Sequence, residues 1–121
     1  MTDAIAAFFG AWSQTDDAAR KQAIAKAFAS QGTYADPRTP ERLSGVDAIA
    51  GYVAMFSANA PGWTAKVVAQ DESAGVIRVT VAFGGTGPDG SHMQQLGQYF
   101  AEVTDGQITR MTGFVGTGAP E

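Results

Sequence analysis

The chain has no cysteine, so a disulfide, a thiolate metal site and a cysteine nucleophile are all excluded. Its single histidine, His92, excludes a zinc or iron site built from several imidazoles. Charge is scarce, at 17% of residues, which is too little for a disordered tail or a coiled coil. Positive charge is scarcer still: Lys and Arg number 8 against 12 Asp and Glu, for a net charge of −4. A phosphate backbone is repelled on average, so no nucleic-acid partner is expected. No apolar run approaches the roughly 20 residues of a membrane span, so no membrane partner is expected either. The opening MTDAIAAFFGAW is apolar, but it carries Asp3 where a secretory signal has Lys or Arg, and no cleavage region follows. It reads as the first helix of a cytoplasmic protein.

What the chain does have is 121 residues, 45% of them hydrophobic, with 15 glycines. That is one domain (residues 1–121) with one core and room for a single pocket. The first half has helical spacing. Thr2 is a candidate cap for a helix whose Ile5, Phe8, Phe9 and Trp12 form one stripe at i, i+3, i+4 and i+7. Thr15 or Asp16 caps a second helix, with Ile24, Ala27 and Phe28 on its inner side and Gly32 as its stop. A short extended piece, Thr33 to Asp36, ends at Pro37, and a polar loop from Arg38 to Leu43 follows. Ser44 opens a third helix, with Asp47 completing a variant capping box. Val46, Ile49, Val53 and Phe56 are its apolar stripe, Tyr52 and Met55 lie beside it, and Ala60-Pro61-Gly62 stops it.

From Trp63 onward the period falls from 3.6 to 2. Trp63 to Gln70 and Val76 to Phe83 read as a hairpin joined by Asp71 to Gly75; Ile77, Val79, Val81 and Phe83 share one face. The glycine-rich loop before His92 is a flexible connection and no phosphate cradle, because no Lys-Ser or Lys-Thr follows it. His92 to Val103 and Gln107 to Val115 form a second hairpin around Asp105-Gly106. The tail after Gly116 is expected to fray. Helices segregated from an antiparallel sheet make an α+β domain.

The residues Thr33-Tyr34-Ala35-Asp36-Pro37, the Ser44-Gly45 opening of Ala48-Ile49-Ala50-Gly51-Tyr52, and Asp105-Gly106-Gln107-Ile108 with Met111 carry a resemblance. With that order of elements, the chain resembles the nuclear-transport-factor-two-like superfamily, including its SnoaL-like and ketosteroid-isomerase-like members. The resemblance covers nearly the whole chain. It implies a cystatin-like cone, three N-terminal helices packed in a strongly curved antiparallel sheet, with an apolar cavity at one end. The superfamily hosts isomerases, cyclases, dehydratases, hydrolases and binders, so the resemblance is specific for fold and weak for activity.

By that resemblance Asp36 takes the place of a base that moves a proton between carbons. The residues agree in part, since an aspartate between an apolar strand and a rigid proline can be held at a pocket mouth. The other reading is that Asp36 only orders the Asp-Pro-Arg turn through backbone amides. Trp12 stands where the relatives carry an oxyanion-binding tyrosine; its indole N–H is a donor, or the ring is simply core. Tyr99 falls near the strand position of their second donor, a protonated aspartic acid, within one residue. With both donors changed, steroid isomerisation itself is not expected.

Gln95, Met93 and Gly97 share the face of Tyr99, continued by Met111, Gly113 and Val115. Tyr52, Phe56, Val81, Gln95, Met111 and Val115 form the expected ligand-binding set, each with an ordinary core or surface role as its alternative. Arg38, Glu41 and Arg42 are a charged cluster beside Asp36 that reads as a rim or a salt-bridged loop, with attraction of an acidic substrate by Arg38 as the alternative. Epoxide opening by an Asp-Arg-Asp set and dehydration by paired histidines lack their residues. On the outer face Leu96, Phe100, Ile108 and Phe114 mix with polar residues, which suggests a homodimer through that face. The function expected is a small-molecule enzyme of isomerase or cyclase type, with no cofactor and no metal. Asp36 acts as its base on a hydrophobic carbonyl compound, aided by Tyr99 and Trp12. The alternative is a non-catalytic apolar-ligand-binding or association module.

Overall fold

In the computed structural model of the chain, residues 3–39, 41–60, 62–86 and 90–116 are described. Thr2, Pro61, the centre of the glycine-rich connection and the tail after Gly116, each given a role above, lie outside them, as does Pro40 of the polar loop. The first stripe folds as its spacing requires. Helix α1 (Asp3–Ala11) buries Ile5, Phe8 and Phe9, and Trp12 follows in its closing turn. Phe8 meets Phe9, Trp12 and Phe28 edge-on, with centroids 5.0 to 5.8 Å apart, inside the range aromatic pairs prefer. Helix α2 (Asp17–Ala27) is capped by Asp16, whose Oδ2 accepts from the Ala19 amide at 2.8 Å.

Two helix boundaries differ from expectation. Helix α2 ends at Ala27, and strand β1 (Phe28–Ala35) begins at once and runs through Gly32. Nothing local breaks the helix there; pairing of β1 with the C-terminal strand overrides helical propensity. Ser44 does not cap the third helix. It lies in the two-residue strand β2 (Leu43–Ser44) opposite Thr33. Gly45 precedes α3 (Val46–Asn59) without a side-chain cap, at φ +89°, a backbone conformation glycine adopts freely. Asp47 does not close a capping box; it pairs with Lys21 across the helix interface at 2.8 Å.

The remaining strands are β3 (Thr64–Ser73), β4 (Val76–Thr86), β5 (His92–Thr104) and β6 (Gln107–Val115). Gly84, Gly85 and Thr86 therefore continue a strand and are not loop. Sheet order is β2-β1-β6-β5-β4-β3, and all pairs are antiparallel except β1 with β6, so the sheet is mixed. Two-residue turns at Ala74-Gly75 and Asp105-Gly106, with positive φ at both residues, give the type I′ twist that hairpins favour. The sheet curves around three helices as an α+β cone. Its inner face contributes Ile77, Val79, Val81, Tyr99, Ala101 and Met111 to the core, against Phe8, Ile24, Phe28, Ile49 and Val53.

Ile108 corrects the expected outer face. The register steps from Glu102–Arg110 to Val103–Ile108, leaving Thr109 as the extra residue of a bulge. Ile108 and Met111, three apart, therefore both point inward and are fully buried. Phe114 is 54% exposed with its ring edge-on to Phe100, but it and Leu96, both expected on the outer face, also border the cavity at this end of the sheet.

Candidate functional site

Strand alternation puts Tyr34 and Asp36 on one face at the end of β1. Pro37 then breaks the strand, and the turn it starts is fixed by Asp36. The Oδ1 atom accepts from the amides of Arg38 at 2.9 Å and Thr39 at 3.1 Å. The Oδ2 atom accepts from two phenols, Tyr34 and Tyr52, each at 2.6 Å. Both are short, well-formed hydrogen bonds. A carboxylate has about four acceptor sites, and all are occupied here.

A third phenol completes the group. Tyr99, on β5, faces Gly113 on β6, where an added Cβ would lie 2.3 Å from the Tyr99 ring; only glycine leaves the ring this position. The hydroxyl oxygens of Tyr34 and Tyr99 are 3.5 Å apart. Tyr34 gives its one proton to Asp36 in the shorter bond, so the longer contact is open to the Tyr99 proton, which a better acceptor in the cavity can take. Burial pushes all three phenols above their ordinary pKa, with Asp36 adding to the shift in each case. All three are neutral donors through the physiological range.

A cavity of about 70 Å³ opens beside this group, lined by Trp12, Asp36, Tyr52, Phe56, Phe83 and Tyr99, among others. Trp12 is 2% exposed, and its indole N–H has no partner among the described residues. A buried donor left so costs about 1–3 kcal/mol unless something in the cavity accepts from it. The cavity thus brings one carboxylate, the Tyr99 phenol and the Trp12 ring together in an apolar wall, with the indole N–H buried and without a partner among the described residues.

Of the residues expected from the sequence, Trp12, Asp36, Tyr52, Phe56, Gln95, Tyr99 and Val115 line this one cavity. Val81 and Met111 do not: both are fully buried in the core beneath it. Gln95 is exposed, its amide nitrogen donating to the Leu96 carbonyl at 2.9 Å. Arg38 lines the cavity mouth and is exposed. Arg42 instead ties the loop to the sheet, donating to Thr33, Thr112 and the Met111 carbonyl. His92 is exposed at the start of β5, and no cluster able to hold a metal ion occurs among the described residues. Tyr34 was missed, though its place two residues before Asp36 in a strand was the available signal. Trp63 and Phe83 also line the cavity; Phe83 shares a strand face with Val81, which was the available signal, and nothing in the local sequence marks Trp63.

A family model described as the SnoaL-like domain matches residues 5–111. No curated protein matches the chain. Among solved structures it is similar to a proposed isomerase of the SnoaL-like family from Agrobacterium tumefaciens strain C58, with a TM-score of 0.80 and 20% identity over 95% of this chain and 96% of that one. It is similar to a proposed SnoaL-like polyketide cyclase from Jannaschia sp. CCS1, with a TM-score of 0.76 and 13% identity over 93% and 83%. A proposed polyketide cyclase from Sinorhizobium meliloti gives 0.69 and 23% identity over 93% and 94%. At such identities these likenesses establish the fold.

Proposed function

The chain belongs to the SnoaL-like domain family, and from that premise we propose that it is an isomerase- or cyclase-type enzyme acting on a small apolar carbonyl compound. Asp36 takes a proton from the carbon next to the carbonyl. The negative charge then moves to the carbonyl oxygen, where the Tyr99 hydroxyl and the Trp12 indole N–H receive it. The proton returns at another carbon in an isomerisation; in a cyclisation the enolate carbon attacks a second carbonyl, whose oxygen becomes an alkoxide and takes the proton back from Asp36. The observation that carries this reading is one apolar cavity lined by Asp36, Tyr99 and Trp12, with the Trp12 indole N–H left without an internal partner among the described residues. A preorganised donor contributes roughly 2.7–4 kcal/mol and a positioned base about 100- to 10,000-fold, enough for a simple proton shift.

The test is Asp36→Asn with a panel of cyclic enones, following deuterium exchange at the α-carbon. The expected result is a rate lower by about 100- to 10,000-fold with the fold intact. An unchanged rate overturns the assignment of Asp36. One observation favours a second reading, a non-catalytic pocket for the same ligands: Asp36 already has a donor on every acceptor site. Saturable enone binding without exchange, in wild type and variant alike, decides for it. The same proposal places a twofold dimer on the outer sheet face around Phe100 and Phe114, and light scattering that gives a monomer at micromolar concentration removes it.

A further inference from the structure

Asp36 cannot accept anything from a ligand until one of its four donors leaves, and the four are not equally held. The Arg38 and Thr39 amides are part of the backbone turn. Tyr34 is fully buried, is not among the cavity-lining residues and packs against Phe8, Trp12, Tyr52 and Tyr99. Tyr52 is half-buried, lines the cavity beside Asp36 and comes from a different element, α3. Its site on Oδ2 is the one a ligand can reach.

We propose that Tyr52 is a specificity-determining residue whose hydroxyl occupies the ligand's place on Asp36 Oδ2, and that the cavity selects compounds bringing an O–H or N–H donor of their own to replace it. The ligand class is therefore narrower than apolar carbonyl compounds: it is their enolic, phenolic or amide-bearing members. A ligand without a donor displaces Tyr52 only by breaking a short bond to a carboxylate and returning nothing. A ligand with a donor exchanges one such bond for another. Burial and Asp36 together hold the Tyr52 phenol neutral, so it competes as a donor at every working pH. Tyr34 makes an equally short bond, but its vacated site would face the core. The two tyrosines thus differ in consequence although they match in distance. This inference rests on the cavity being a ligand site, as proposed above, and not on turnover.

The experiment uses phenol and toluene, of nearly equal shape, as probes titrated calorimetrically into wild type, Tyr52→Phe, Tyr34→Phe, Asp36→Asn and the double variant Asp36→Asn/Tyr52→Phe. Tyr52→Phe is expected to tighten phenol about ten- to a hundredfold while leaving toluene within twofold, because the freed acceptor site gains a hydrogen bond to a charged group. Tyr34→Phe leaves the phenol-to-toluene ratio unchanged. In the Asp36→Asn background the Tyr52→Phe gain disappears. An unchanged ratio in Tyr52→Phe, or an equal gain in Tyr34→Phe, overturns the role of Tyr52 and leaves the ligand site standing. No saturable binding of either probe to any of the five proteins overturns both.

Discussion

Arg20 and Asp36 each carry a charge away from open water, and their surroundings differ in kind. Arg20 is 3% exposed; its guanidinium donates to the Asp17 carboxylate, the Gln14 carbonyl and the Ser57 hydroxyl. None of these lines the cavity. They join the turn after α1 to α2 and α3, which is a packing task. Asp36 has as many protein partners and more, but two of them are phenols and one wall of its site is empty space. Hydrogen-bond count alone does not separate a structural charge from a chemical one. What separates them is whether a partner can leave and whether a ligand can take its place.

Alkaline pH separates the two regions most strongly, since only the Asp36 group contains phenols. Tyr34, Tyr52 and Tyr99 have folded-state pKa values raised above the ordinary tyrosine value, mainly by burial. The unfolded chain releases these protons near pH 10 while the folded chain keeps them, so the unfolded state binds fewer protons and stability falls as pH rises. The contribution is complete below about pH 10 and is lost progressively above it. Tyr34 and Tyr99 together set a slope of roughly 3 kcal/mol per pH unit. Urea midpoints at pH 9 and pH 11 measure it. A Tyr34→Phe/Tyr99→Phe double variant is expected to flatten most of the slope, and an unaltered slope would remove the phenols as its cause.

Arg20→Met acts on the other side of the comparison. It deletes the guanidinium's bonds and leaves the Gln14 carbonyl short of a donor, at an expected cost of about 2–3 kcal/mol in urea denaturation. Enone exchange by the folded variant stays at the wild-type rate. A fall in exchange without a fall in stability would mean that the Arg20 cluster acts on the cavity after all.

Gly113→Ala bears on the Asp36 region without touching any of its polar atoms. The new methyl would lie 2.3 Å from Cε2 and 2.7 Å from Cδ2 of Tyr99, so the ring must shift. Overpacking of this sort costs about 1–3 kcal/mol. The exchange rate is expected to fall as well, because the displaced hydroxyl no longer meets the carbonyl oxygen. A variant equally destabilised but fully active would take Tyr99 out of the proposed mechanism.

The sequence made the helical stripe and the hairpins legible, because both are set by neighbours. Ile5, Phe8, Phe9 and Trp12 announce one face of a helix, Asp16 its successor's cap, and Asp105-Gly106 a two-residue turn. What was hidden depends on distant partners. The bulge that turns Ile108 inward follows from pairing with β5. The end of α2 at Ala27 follows from the parallel pairing of β1 with β6. Asp36 was legible as a candidate from its proline and its resemblance. Its Tyr52 partner was not, since that bond depends on how α3 docks against a strand sixteen residues away in sequence.

Lys21 is the neighbour of Arg20 and gives the comparison its zero point. It meets Asp47 at 2.8 Å, bridging α2 and α3 as Arg20 does through Ser57, but the two side chains are 58% and 86% exposed. The hydrogen bond from Lys21 holds the Asp47 carboxyl below the usual carboxylate range. A lowered folded-state value gives stability that is present above the unfolded pKa and lost as pH falls through the folded one. Water and salt screen so open a pair, and the entropy of fixing two long side chains offsets the attraction. Lys21→Met is therefore expected to leave the urea midpoint unchanged at pH 7, and to leave its acid limb below about pH 4 where it was. Should Lys21→Met instead lower the midpoint as far as Arg20→Met does, and high salt lower it in wild type, the α2–α3 contact is held by surface charge. The burial of Arg20 would then not be what distinguishes it from its neighbour.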